Sequence, residues 1–208
     1  MIMHDKVKQP NRESNPPKKK RRIKRELIEW GGIIAIGLFL YLTGLHTEVI
    51  GTIQGLVLKT GLIKPNISRE EPISKADYNF RLVDQEGNIL EGEALRNKTV
   101  FINLWATWCP PCVAEMPDIN RLYKEVASED IVFIMISLDD DFNKAKNFLQ
   151  KKEYDFNIYQ FISTPPTELY SEIIPTSFVF SPEGNIVVRR EGMARYNSAA
   201  FKEFLKSL

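Results

Sequence analysis

Sulfur and imidazole are scarce in this chain. Its 208 residues include two cysteines, Cys109 and Cys112, and two histidines, His4 and His46. A structural zinc site needs four ligands, usually Cys or His, and the segment after Thr47 offers only the cysteine pair. Metal or haem ligation within one chain is thereby excluded, a site shared between subunits being the only arrangement that escapes, and no cofactor is expected. Aromatic residues are absent from residues 1–25, where "NPPKKKRRIKR" supplies charge instead. Such a segment buries too little apolar surface to offset the entropy of ordering, so residues 1–26 read as a disordered basic tail.

Charge, in turn, is missing from "WGGIIAIGLFLYLTGLHT", Trp30 to Thr47. A helix crosses a hydrocarbon core of about 30 Å in roughly 20 residues, so this run, extended by Leu27 and Ile28, is just long enough. Residues 27–47 are therefore expected to form a transmembrane signal-anchor helix. The net charge of +1 hides an asymmetry, because Lys and Arg crowd before the apolar run. Basic residues close to a span stay cytoplasmic, which puts the tail inside and everything after Thr47 outside the cell membrane, on the periplasmic or extracytoplasmic side. The basic stretch also resembles a nucleic-acid patch, but the adjoining apolar run makes topology the simpler account, and no nucleic-acid partner is expected. A cleaved signal peptide is the rival to an anchor, and "LTGLHTEVIG" lacks a small-residue cleavage site.

Residues 48–77 read as an interfacial amphipathic segment and a linker. Val49 to Ile63 is too short for a second span, and Ile50, Ile53 and Val57 fall at helical spacing, as for a helix lying along the outer interface. "KPNISREEPISKAD" has the prolines and charges of a tether.

The folded domain is expected over residues 78–208. "YNFRLVDQEGNILEG" reads as a hairpin around Gly87 and Asn88, and "TVFINLWA" as a strand buried on both faces. Val113, Met116, Ile119, Leu122 and Val126 recur at three or four, indicating a helix from Pro110 that Pro117 should kink. "IVFIMISL" is a second buried strand. A helix over "DDFNKAKNFLQKKE", a strand at "FNIYQF", a short helix at "TELYSEI", a hairpin turning at Pro182 to Asn185 and a last helix capped by Asn197 or Ser198 follow. This order indicates an α/β sandwich with one sheet covered on both faces.

The cysteines lie in "WATWCPPC". A structural disulfide between such near neighbours removes little entropy from the unfolded chain; what the spacing provides is rapid exchange between dithiol and disulfide. Cys109 falls where a strand ends and a helix begins, so unpaired N–H groups and the positive end of the helix dipole favour its thiolate, below the free value of about 8.5. Pro110 and Pro111 suit a first turn that needs no N–H. Cys112, deeper in the helix, is expected to act as the resolving thiol.

"NLWATWCPPC" after a buried strand, Pro117 beyond it and "IIPTSFVF" before a hairpin and final helix together resemble a thioredoxin fold, and more narrowly the membrane-anchored TlpA/ResA-like thiol-disulfide oxidoreductases. The likeness covers Tyr78 to Leu208. It implies a central mixed sheet flanked by helices, with an extra N-terminal hairpin. It also implies Pro175 as a cis-proline against the disulfide, Ile174 offering backbone groups to an extended substrate, and Trp108 and Pro111 shielding the pair. A trans-proline starting a strand, and a core aromatic, are the plain alternatives for Pro175 and Trp108. Thioredoxins carry a buried aspartate six residues before the first cysteine, where this chain has Asn103, which cannot accept a proton. Glu115, three residues beyond Cys112 and on the same helical face, is the carboxylate the ResA-like pattern implies; a solvated surface glutamate is the alternative. The resemblance implies exported disulfide-bonded proteins such as apocytochrome c as substrates, and an integral-membrane thiol carrier as electron donor. An oxidant that installs disulfides, or a redox-inert adaptor or chaperone, would share the fold. A peroxide-reducing enzyme fits less well, since no Pro-x-x-x-Thr-x-x-Cys pattern precedes Cys109.

Overall fold

The computed structural model describes residues 18–43, 45–60, 65 and 72–208. The tail before Lys18 and most of the linker before Pro72 lie outside the described residues. The chain divides into two compact units, up to Thr43 and from Gly44 to Leu208.

Helix α1, Lys18–Leu42, forms the first unit. It starts inside the stretch expected to be structureless, because Lys and Arg are good helix formers and an existing helix extends at little cost. It also stops short of Thr47. The Thr43 hydroxyl and N–H both donate to the carbonyl of Phe39, at 2.7 and 3.0 Å, where the helix ends, and glycine follows. Its apolar part, Ile28–Leu42, spans about 22 Å, less than the ~30 Å of a hydrocarbon core. Among the described residues no single helix is long and apolar enough to cross a membrane, so the single spanning helix expected over 27–47 is not what the structure shows.

The second unit opens with α2, Leu45–Lys59, and continues as an eight-stranded mixed sheet in the order β1-β8-β7-β4-β5-β6-β2-β3. The strands are β1 Ser74–Lys75, β2 Arg81–Asp84, β3 Ile89–Glu91, β4 Thr99–Trp105, β5 Ile131–Ser137, β6 Ile158–Phe161, β7 Thr176–Phe180 and β8 Asn185–Glu191. The helices are α3 Pro110–Val126, α4 Phe142–Lys152 and α5 Ala199–Lys206. β4 runs parallel to β5, and β5 to β6; the remaining pairs are antiparallel. β1 falls in the expected linker, where two residues pair with Ile186 and Asn185 at the sheet edge. Edge pairing uses backbone groups alone, so no side-chain pattern announces it. The "TELYSEI" segment winds into a single 3₁₀ turn, Thr167–Leu169, too short to gain from helix propagation.

Period-two alternation in the central strands splits the core in two. Phe101, Trp105, Phe133, Met135 and Val179 face one side, with Met116, Ile119 and Leu122 of α3, Ala145 of α4 and Phe201, Phe204 and Leu205 of α5. Val100, Ile102, Leu104, Ile134, Ile136, Phe178 and Phe180 face the other, packed under Tyr78, Phe80, Leu95 and Leu169. α3, α4 and α5 thus cover one face; the hairpin β2–β3 extends the sheet at its edge, and the segments flanking it, with Tyr78 and Phe80 before and Leu95 after, cover the second face together with Leu169. Right-handed crossovers through β4, β5 and β6, which advance in one direction, put both connecting helices on the same side.

Gly92 marks the tightest point of that N-terminal cover: a Cβ there would stand 2.2 Å from the Tyr78 carbonyl oxygen and 3.0 Å from the Phe80 ring. Gly92→Ala must push backbone apart, and overpacking of this kind costs about 1–3 kcal/mol. Urea denaturation followed by tryptophan fluorescence should show a lower midpoint; an unchanged midpoint would mean the segment is not packed in this way.

Candidate functional site

β4 delivers the chain to the cysteines. It is buried along its whole length, and at its end the Leu138 N–H bonds the Trp105 carbonyl at 2.8 Å. Buried Asp139 then grips the next turn: it accepts from the Thr107 hydroxyl at 2.6 Å, from the Thr107 N–H at 3.0 Å and from Ser137 Oγ at 2.9 Å. The loop before Cys109 is therefore tied to the end of the neighbouring strand, and α3 starts from a fixed point.

Cys109 is the N-cap of α3, with Pro110 and Pro111 at its first two positions. Because prolines carry no N–H, the first available donor of the helix belongs to Cys112, and it points at Cys109 Sγ from 3.3 Å. The helix ladder begins one residue later, from Val113 N–H to the Cys109 carbonyl at 3.1 Å. The two sulfurs are joined as a disulfide, Cα to Cα 5.3 Å. Cys112 is fully buried, while Cys109 keeps 4% of its surface exposed, so only one sulfur is open to a partner.

The Ile174–Pro175 peptide is cis, and the Ile174 carbonyl oxygen sits 3.7 Å from Cys109 Sγ. This bend is anchored on its far side by Gly192 N–H, which donates to the Pro175 carbonyl at 2.8 Å, and by the Thr176 hydroxyl, which donates to the Ile173 carbonyl at 2.6 Å. Trp108 is not a core residue: it is 58% exposed and walls a cleft of about 440 Å³ with Thr107, Phe148, Lys144 and Lys151. Pro111 is half-buried in the first turn of α3. Trp108, Cys109, Ile174 and Pro175 are thus brought together around one accessible sulfur.

Glu115 lies beneath the disulfide side of α3, wholly buried. Its Oε1 accepts from Asn103 Nδ2 at 2.8 Å and its Oε2 from the Ala194 N–H at 3.1 Å. The second proton of Asn103 Nδ2 goes to Ser177 Oγ at 2.9 Å. Burial is the largest influence on this carboxyl, raising its pKa to about 8 against the partial relief of the two hydrogen bonds. Tyr196, also fully buried, is pushed well above its ordinary value by burial first and by the neighbouring Glu115 charge second. The solvated-glutamate alternative is excluded, and the strand asparagine that replaces a thioredoxin aspartate turns out to hold the helix carboxyl. Asp139, Ser177, Tyr196 and the Ala194 N–H were not legible as site components. Asp139 sits in an acidic run that reads as a helix start, and the others meet Glu115 or its partner Asn103 only through contacts remote in sequence, as the 74- and 79-residue separations of the Ser177 and Ala194 bonds show. Among the described residues no cluster of His, Cys, Asp and Glu is arranged to hold a metal ion.

Comparison with known proteins bears on this geometry. A family model described as the AhpC/TSA family matches residues 73–189. The chain is 31% identical over 144 residues to the thiol-disulfide oxidoreductase ResA of Bacillus cereus, covering 68% of this chain and 82% of that one. It is likewise 31% identical over 130 residues to the thiol-disulfide oxidoreductase ResA of Halalkalibacterium halodurans, covering 62% and 74%. Among solved structures, a thiol:disulfide interchange protein of the thioredoxin family from Chlorobium tepidum superposes with a TM-score of 0.54 at 26% identity, over 67% of this chain and 98% of that chain.

The buried carboxyl leaves a mark on stability. Between its ordinary value of 4.5 and about 8, the folded chain holds a proton that the unfolded chain has released. Unfolding free energy therefore falls as pH rises through that window, by up to about 1.4 kcal/mol per pH unit, and levels off above it. Glu115→Gln has nothing to titrate there. Urea denaturation of the oxidised protein from pH 5 to 8 should show the wild type losing stability relative to the variant; parallel profiles would mean that Glu115 ionises normally.

Proposed function

This chain belongs to the AhpC/TSA family and is a ResA-like protein-disulfide oxidoreductase, and from that premise we propose that it reduces disulfides of exported proteins from an anchor in the cell membrane. The observation that carries the reading is the seat of Cys109: a barely exposed sulfur capping a helix N-terminus, bonded to a buried partner and faced by a cis-proline bend.

In the reduced enzyme the Cys109 thiolate, favoured by the Cys112 N–H and the helix dipole, attacks one sulfur of a substrate disulfide. A mixed disulfide forms and the other substrate sulfur leaves as a thiolate that takes a proton from water. Cys112 then loses its proton, attacks Cys109 Sγ and releases the second substrate thiolate, which is protonated in turn; the enzyme ends as the disulfide and the substrate as two thiols. Glu115 is the group placed to exchange a proton with Cys112: it sits three residues along the same helix face, and with a pKa of about 8 its ionised fraction, which grows as pH rises toward that value, takes the Cys112 proton. Ile174 backbone groups and the exposed Trp108 ring receive the extended substrate segment, and Pro111 helps to shield the pair.

The substrates in this reading are exported disulfide proteins, apocytochrome c among them, and the electron donor is an integral-membrane thiol carrier, since exported compartments hold no reducing glutathione pool of their own. Membrane attachment is supported by the uncharged run from Trp30, by the exposure of most described apolar side chains of α1 from Ile28 to Leu42, and by the basic residues that precede them. The short apolar length is tolerated if the bilayer thins and flanking Lys and Arg reach the interface. The catalytic domain then lies outside and the N-terminus inside.

Cys112→Ser should accumulate a mixed disulfide with the acceptor, visible as a reductant-sensitive adduct on gels, because the second displacement is lost. Cys109→Ser should abolish insulin reduction. An adduct in the wild type but none in Cys112→Ser would reverse the two roles. A reductant also requires a potential nearer that of thioredoxin, about −270 mV, than that of DsbA, about −120 mV. Equilibration of the Cys109/Cys112 couple with glutathione or dithiothreitol buffers reads this directly, and a value at the oxidising end would make the protein a disulfide donor instead.

A further inference from the structure

α2 has two unlike faces. On one, Gly51 comes so close to α3 that a Cβ there would stand 3.1 Å from the Pro110 carbonyl oxygen and 3.2 Å from Val113 Cγ1. One turn on, a Cβ at Gly55 would meet the Ala114 carbonyl oxygen at 3.5 Å, and Leu58 on the same face is buried. These positions recur at three and four, as one side of a helix must. α2 therefore rests on the outer face of α3, opposite the Met116, Ile119 and Leu122 side chains that α3 turns to the sheet. Glu48 is drawn toward α4, bridging Lys151 at 2.8 Å and Lys152 at 3.4 Å, and this lowers its pKa, through the Lys151 hydrogen bond before the other influences.

The other face carries Val49, Ile50, Ile53, Leu56 and Val57, all exposed, with Ile53 and Leu56 each at 59%. A contiguous exposed stripe of this kind marks an interaction surface. What covers it follows from chain continuity. Only Thr43 and Gly44 separate α2 from the uncharged apolar run of α1, and two residues reach about 7 Å at most. A chain leaving a bilayer at Leu42 therefore starts α2 at the lipid surface, and the exposed apolar stripe lays the helix along that surface rather than away from it.

We propose that α2 is a two-faced interfacial helix, its Val49/Ile53/Leu56 face lying in the bilayer surface and its Gly51/Gly55 face carrying the redox helix. The layers then run lipid, α2, α3, sheet. Packed helices lie about 8–10 Å apart, so Cys109, at the first turn of α3, is held roughly 20 Å or less from the lipid boundary. The glycines set that spacing, since any larger side chain at Gly51 would meet the Pro110 carbonyl beside the reactive sulfur. This standoff suits a donor whose thiols lie at the membrane surface and disfavours one that diffuses freely, and it rests on the anchored reading given above.

The test uses the full chain in vesicles of phosphatidylethanolamine and phosphatidylglycerol, with p-benzoylphenylalanine in place of Ile53, of Leu56 or, as a control, of Glu183 in the β7–β8 turn. Because Ile53 and Leu56 are exposed, the replacement leaves the packing intact, which insulin reduction verifies in each sample. Illumination should yield adducts of phospholipid mass at 53 and 56 and none at 183. Adducts to a second copy of the chain, no adduct, or equal labelling at 183 would each overturn the proposal. Carbonate extraction separates the two readings: a chain washed from the membrane refutes the anchor and this proposal with it, whereas a chain that stays but gives no lipid adduct from α2 refutes this proposal alone.

Discussion

A sulfur that must be both reactive and protected needs a place where the backbone supplies electrostatic stabilisation without water, and the junction of β4 with α3 is such a place. The first turn of a helix has N–H groups with no internal partner. Here two of them are deleted by Pro110 and Pro111 and the next one donates to Cys109 Sγ. The rest of the domain holds this junction still. A strand buried on both faces leads into it, Asp139 fastens the turn before it, and the cis peptide at Pro175 closes over it from a distant part of the chain.

The second constraint is the proton. In the proposed mechanism a buried resolving thiol needs a buried proton acceptor near it, and burial of a carboxylate is costly unless it is hydrogen-bonded or protonated. The structure meets both conditions. Asn103 and the Ala194 N–H satisfy the Glu115 oxygens, and the carboxyl still titrates high because burial outweighs those two bonds. The strand position that carries an aspartate in thioredoxins has become the donor that orients a carboxyl on the facing helix. Acid and support have changed places across one hydrogen bond.

α3 illustrates how packing extends this logic outward. With the sheet on one side and α2 on the other, Val113, Ala114 and Asp118 are buried although they face away from the core. Gly51 and Gly55 allow the two backbones to approach closely, in the manner of small residues at helix crossings. Local pattern alone marked α2 by its apolar positions and said nothing about its glycine face, because glycine carries no hydropathy signal and its role appears only when a second helix is present.

Much of this was legible without coordinates. The two-residue spacing of the cysteines, the proline pair, and the passage from a continuous apolar run to a three-four repeat identify a reactive sulfur at a strand-to-helix turn, because those features are local and each has a single-chain physical cause. The hairpins around Gly87 and Gly184 and the Ser198 cap are local in the same sense; both glycines adopt positive φ, and Ser198 Oγ accepts from the Phe201 N–H. Where the structure differs from the expectation, the deciding contact was remote or carried by backbone: β1 joining the sheet edge, and the apolar helix ending at Leu42. The sequence by itself determined that Cys109 and Cys112 stand within bonding reach at the start of a helix, since their spacing and the strand-to-helix transition are local features. Only the tertiary structure decided that Glu115 is buried with its carboxyl held above the ordinary range, that the Ile174–Pro175 bond faces the sulfur in cis, and that α2 lies on the redox helix. Each of these depends on residues far apart in the chain meeting where water is excluded, and burial is a property of the assembled fold.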